Sequence, residues 1–168
     1  MSTVLDKDLV RYSDKKAIPK FQVYFRKLQN ARGVKYVFYK LLFKLSKERH
    51  HIELFEKTQI GEGLYIGHPN CITINYKAVI GKNCNIHKGV TIGQENRGKR
   101  KGAPVIGDNV WIGINSTIVG NIVIGNDVLI APNTFVNTDI PDHSVVIGNP
   151  CIVKHRENAT EGYVNRTV

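Results

Sequence analysis

The stretch VIGDNVWIGINSTIVGNIVIGNDVLIAPNTFV, Val105 to Val136, returns an aliphatic residue at every sixth position: Ile106, Ile112, Ile118, Ile124, Ile130 and Val136. A helix repeats every 3.6 residues and a half-buried strand every two, so neither explains this spacing alone. The residue two places before each aliphatic is apolar or small: Val110, Ser116, Ile122, Val128 and Thr134. Turn formers follow, as in Gly107-Asp108-Asn109 and Gly125-Asn126-Asp127. A period of six marks a hexapeptide parallel β-helix, in which each hexapeptide supplies one short strand and one turn. Three hexapeptides close a triangular coil, and the next coil stacks about 4.8 Å above it. The inward aliphatics then form columns whose β-branched shape suits a pleated surface.

Upstream the same period holds. Ile74, Ile80, Ile86 and Ile92 are six apart, and so are Ile60, Ile66 and Ile72, two residues out of phase with the first set. Between Ile92 and Ile106 the period breaks at the polar, Gly-containing run 94–104, which reads as a loop thrown out of the coil. A loop on a rigid solenoid is a favoured place for function. The punctuation Pro141 and Gly148-Asn149-Pro150 ends the repeat. The expected architecture is mainly β: a parallel β-helix over residues 53–154, a short α-helical region over 1–52, and a C-terminal tail, 155–168, with a loose end.

The helical region is read from two stripes. Phe21, Tyr24, Phe25 and Leu28 stand at helical spacing, and after Gly33 so do Val34, Val37, Phe38, Leu41, Leu42 and Leu45. The second stripe alternates with Lys35, Lys40, Lys44 and Lys47, and its apolar face is expected to pack on the β-helix or on a neighbouring subunit. Charge is segregated as well. Of the net +10, residues 1–50 carry +9, from thirteen Lys or Arg against four Asp or Glu. Such a basic segment also admits peripheral contact with an anionic membrane. No nucleic-acid-binding signature accompanies it, so no nucleic-acid partner is expected.

The 168 residues suit one domain. No apolar run is long enough to span a bilayer, and the start MSTVLDKDLV lacks a secretory pattern. Cys71, Cys84 and Cys151 are an odd set without metal-ligand spacing, so no metal site is expected and a reducing, cytoplasmic compartment fits.

Six segments in order, 60–68, 86–93, 98–104, 105–113, 118–125 and 145–150, resemble the hexapeptide-repeat acyltransferases. Within them the chain is most similar to serine acetyltransferases and to O-acetyltransferases of capsular and exopolysaccharide synthesis. The resemblance implies a left-handed β-helix, a homotrimer with sites shared between subunits, and acetyl-CoA as donor. His68 falls on the catalytic histidine, and Glu53, fifteen residues upstream, falls where serine acetyltransferases carry an aspartate that orients it. An alcohol needs such a base, and histidine suits neutral pH. His87, next to inward Ile86, is expected to point outward and is a further catalytic candidate. The resemblance assigns acetyl-CoA to Gly93, Gly113, Ile114, Ala131 and Pro132, where small residues admit the pantetheine arm, with Lys154 near its phosphates.

Two departures bear on the acceptor. Serine acetyltransferases carry an acidic residue where this chain has Gly67 and a histidine where it has Ala103. A free amino acid brings two charges that are costly to bury unpaired. The expected function is therefore O-acetylation of a sugar or polysaccharide precursor. Acetylation of L-serine is the alternative, and a non-catalytic β-helix serving as an interaction module is a second. A zinc enzyme on the same fold would need a third histidine beside His68 and His87, and His50, His51 and His143 are poorly placed for it.

Overall fold

The computed structural model describes residues 2–168. Three helices come first: α1 (Val4–Val10), α2 (Lys20–Asn30) and α3 (Gly33–Glu48). Thr3 caps α1, its hydroxyl accepting from Asp6 N while the Asp6 carboxylate accepts from the Thr3 backbone. The chain then winds into three parallel sheets that share it in turn. The first sheet stacks β1 (Gln59–Ile60), β4 (Val79–Ile80), β7 (Val105–Ile106) and β10 (Val123–Ile124). The second stacks β2 (Tyr65–Gly67), β5 (Asn85–His87), β8 (Trp111–Ile112), β11 (Val128–Ile130) and β13 (Ser144–Ile147), and adds antiparallel β14 (Ile152–His155) at its edge. The third stacks β3 (Thr73–Ile74), β6 (Thr91–Gly93), β9 (Thr117–Val119) and β12 (Phe135–Val136).

The sixfold columns are the core. Ile86 pairs Ile112, which pairs Ile130; Ile92 pairs Ile118, which pairs Val136. All of these are buried, and so are Val110, Ser116, Ile122, Val128 and Thr134, two places earlier. Both positions of each hexapeptide therefore face inward. The two buried hydroxyls find backbone partners: Ser116 Oγ donates to Ala131 O at 2.8 Å, and Thr134 Oγ1 accepts from Gly148 N at 3.1 Å.

The phase shift noted in the sequence lies at one corner. Ile66 pairs Ile86 and Ile74 pairs Ile92, so eight residues separate inward positions that are six apart in the next coil. The corner between β2 and β3 is thus two residues longer than its neighbours below. In those neighbours the third residue before the inward aliphatic is left-handed: Gly89, Asn115 and Asn133. In the first coil Cys71 takes that place, with φ 51°, and His68 is a second left-handed residue, φ 54°, in the extra length.

The open end of the first coil is covered by α1 and α2. Asp8 accepts from Arg26 Nε (2.8 Å), Gln22 Nε2 (3.0 Å) and the Leu64 amide (3.0 Å). Arg26 also donates to the carbonyls of Ile60 and Gly61, and Arg11 to those of Gly63 and Asn165. The Tyr12 hydroxyl accepts from Ile66 N at 2.9 Å. Exposed strand edges invite unwanted pairing, and here buried side chains satisfy the edge instead.

Two expectations are corrected. The first stripe packs as read, with Phe21, Phe25 and Leu28 buried. The second does not pack on the β-helix of its own chain: α3 buries Phe43 and leans Tyr36 and Tyr39 on the core, while Val34, Val37, Phe38, Leu41 and Leu45 are left exposed by the chain itself. The tail is not loose. Asp127 accepts from Ala159 N, Thr160 N and Thr160 Oγ1, and Val168 exchanges hydrogen bonds with the Asn83 side chain. The tail thereby runs back across the coils from Asp127, before β11, to Asn83, between β4 and β5.

Candidate active site

His68 stands at the lengthened corner, exposed, on a backbone that only Gly and a few polar residues adopt cheaply. Among the described residues its ring has no hydrogen-bond partner. Glu53 sits beside β3. Its amide donates to Ile72 O and its carbonyl accepts from Ile74 N, both at 2.8 Å, and its carboxylate is exposed. No hydrogen bond joins Glu53 to His68.

His87 is a different case. It points outward, as alternation requires, and is half-buried among aromatics, with ring centroids 4.7 Å from Trp111 and 6.4 Å from Tyr65. Its Nδ1 lies 2.8 Å from the Ile112 carbonyl, which only accepts, so Nδ1 carries the proton and Nε2 is the free nitrogen. Burial pushes its pKa down; the Ile112 bond opposes this, and the neighbouring His68 adds to it. The neutral ring therefore offers a lone pair at Nε2. Register pairs Gly67 with His87, and the ring lies over that glycine. A cavity of about 280 Å³ opens on this face, lined by Tyr65, Asn85, His87, Trp111, Tyr163 and Arg166 among others.

Below His87 the same corner carries small residues. The registers Ile86–Ile112 and Ile112–Ile130 put Gly113 and Ala131 in line with it. Gly113 must be glycine for the fold itself: a Cβ there would fall 2.6 Å from Pro132 N and 2.8 Å from Ile130 O. Ile114 O accepts from Asn133 N across the next step, at 2.9 Å. Gly113, Ile114, Ala131 and Pro132 are thus brought together along one edge. Gly93 lies on the third sheet, paired with Val119, and Lys154 is exposed on β14. The segment 94–104 between β6 and β7 is closed by reciprocal Glu95–Gly102 backbone bonds of 2.9 Å. No group of three His, Cys, Asp or Glu among the described residues is placed to hold a metal ion.

An exposed histidine thus stands on the edge of a parallel β-helix, beside a strip of small residues. Residues 103–138 match the model of the bacterial transferase hexapeptide (six repeats). The serine acetyltransferase of Staphylococcus epidermidis is 35% identical over 128 residues, which are 76% of this chain and 60% of that protein. The crystal structure of Neisseria gonorrhoeae serine acetyltransferase in complex with serine superposes with a TM-score of 0.71 at 26% identity, covering 90% of this chain and 67% of that one. The Brucella abortus serine acetyltransferase in complex with coenzyme A gives 0.76 at 23% identity, covering 91% and 67%, a likeness of fold. The chain is a left-handed β-helix hexapeptide-repeat protein resembling serine acetyltransferases. It spans about 60% of the length of the curated relatives it matches.

These relatives overturn the expectation of a sugar or polysaccharide acceptor, which rested on Gly67 and Ala103. The structure shows what stands beside one of these two positions. Gly67 was counted as a lost polar group, yet the space beside it holds the His87 ring, with Nε2 turned toward it. Reading position 67 alone missed that a neighbouring strand fills it.

Proposed function

We propose that this chain transfers the acetyl group of acetyl-CoA to the hydroxyl of L-serine. The observation that carries the reading is the lengthened corner that presents His68 on a fold shared with serine acetyltransferases. His68 takes the hydroxyl proton as the serine oxygen attacks the thioester carbonyl. Backbone N–H groups steady the oxyanion, the C–S bond breaks, and the proton held by His68 passes to the departing CoA thiolate. Glu53 reaches the His68 ring on substrate binding and orients it. His87 accepts a hydrogen bond from the serine ammonium through Nε2, the part an acidic side chain at position 67 would play. The edge formed by Gly113, Ile114, Ala131 and Pro132 takes the pantetheine arm, with Gly93 on the adjoining face and Lys154 toward the phosphates.

The active form in this reading is a homotrimer. His68 is exposed on one side in the lone chain, and a second copy against that edge completes the site and excludes water. The test is release of free CoA thiol from acetyl-CoA in the presence of L-serine, with sedimentation to weigh the assembly. Serine-dependent release, absent in a folded His68→Ala variant, is expected. A folded wild type that releases no thiol with serine overturns the reading.

A further inference from the structure

The face that α3 turns to solvent is not an ordinary polar helix surface. Val34, Val37, Phe38, Leu41 and Leu45 are exposed by 86, 67, 56, 56 and 57%. At about 100° per residue these five fall within one stripe opposite buried Phe43. Lys35 and Arg49 border the stripe on one side and Lys44 on the other, all exposed. Glu48 is the one acid near it. Beyond Lys44 the stripe continues into a groove of about 450 Å³ between α3 and the first coil, floored by Phe55 and Tyr76 and rimmed by Lys40, Lys47 and Lys57. Glu56 in that groove is already bound by Tyr36 and Lys40.

We infer that the outer face of α3 docks on an anionic lipid bilayer. Five adjacent apolar side chains in water are costly, and isolated exposed apolar residues do not line up in this way. An apolar stripe bordered by cations is the arrangement that lies in a membrane interface, its aliphatics among the acyl chains and its cations at the phosphates. Charge decides between occupants. Residues 1–50 hold +9 of the chain's +10, so a second copy meeting this face with its own α3 would bring like charge against like. An anionic bilayer satisfies both the apolar stripe and its border. No described helix is long and apolar enough to cross a membrane, so the contact is peripheral.

Flotation of the full chain with vesicles tests this. Equimolar phosphatidylcholine and phosphatidylglycerol should retain the protein at low salt, and phosphatidylcholine alone should not. High salt, the pair Phe38→Asp with Leu41→Asp, and the pair Lys35→Glu with Lys44→Glu should each weaken retention by roughly tenfold or more. All four positions are exposed, so circular dichroism should be unchanged. No retention on anionic vesicles, equal retention on neutral ones, or variants that float like the wild type would overturn the proposal. So would concentration-dependent self-association that the Phe38→Asp, Leu41→Asp pair abolishes, because that assigns the stripe to a second copy.

Discussion

The His87 ring occupies the space that a side chain on Gly67 would need: a Cβ on Gly67 would fall 2.7 Å from His87 Cδ2 and 2.9 Å from its Nε2. The two positions are paired across β2 and β5, so a side chain at position 67 requires the ring to move. Gly67→Ala should push the ring off the Ile112 carbonyl and lower kcat/KM for serine by roughly tenfold or more, and His87→Ala should do the same. In the double variant the losses should overlap, with a coupling of about 1–2 kcal/mol from steady-state kinetics. Strictly additive losses would mean that His87 does not act through the place beside Gly67.

His68 is isolated by geometry, which makes its substitution clean. Asn adopts the left-handed backbone that position 68 requires, and the ring has no partner to lose. His68→Asn should leave unfolding free energy within about 0.5 kcal/mol of the wild type. Turnover with acetyl-CoA and serine should fall by about 10² to 10⁴ fold, the usual worth of a positioned base. Near-normal turnover in that folded variant would remove His68 from the mechanism.

Much of the fold can be read from the sequence because inward positions repeat with a fixed period, and Ile106 to Val136 need no tertiary information to be phased. The same period holds the signal for the site: the step of eight from Ile66 to Ile74 marks the lengthened corner, though only the registers place the two extra residues between Gly67 and Thr73, where His68 stands. Position 67 was misread because its environment comes from a residue twenty places later, on a different strand. The α3 stripe misled for another reason. Helical periodicity says that Val34 to Leu45 form a face, but not whether that face or the aromatic one opposite meets the core.

The buried pair Asp8–Arg26 holds the helices to the first coil, its side chains all but inaccessible. Arg26→Met would leave a carboxylate without its cation and free the carbonyls of Ile60 and Gly61. Urea denaturation should show a loss of about 3–5 kcal/mol. Adding Asp8→Asn should cost less than the sum of the two single changes, because the unpaired charge is then gone.

The tail is fastened by a clasp that titrates. His143 Nδ1 lies 2.8 Å from Asp127 Oδ2, and the same carboxylate takes three bonds from Ala159 and Thr160. The bond to Asp127 raises the His143 pKa, against a smaller opposing effect of burial, with Glu157 adding to the rise. Burial alone would raise the Asp127 pKa, but the bonds from Thr160, His143 and Ala159 together bring it down. A histidine whose pKa is higher folded than unfolded contributes fully below its ordinary value of about 6.5 and loses that contribution as pH climbs through the raised one. The depressed carboxylate contributes above its ordinary value of about 3.9 and is lost as pH falls through the lowered one. Docking of the tail should therefore be firmest in mildly acidic solution and slacken toward alkaline pH. Trp111, the one tryptophan, reports on it, since its ring packs 5.1 Å from Tyr163 of the tail. Its emission should shift as pH is raised past neutrality, and His143→Gln should flatten that response. Asp127→Asn should give the slackened spectrum at every pH. An emission that ignores both substitutions would show that the tail is held by its other contacts, Arg11 on Asn165 and Asn83 on Val168, without the clasp.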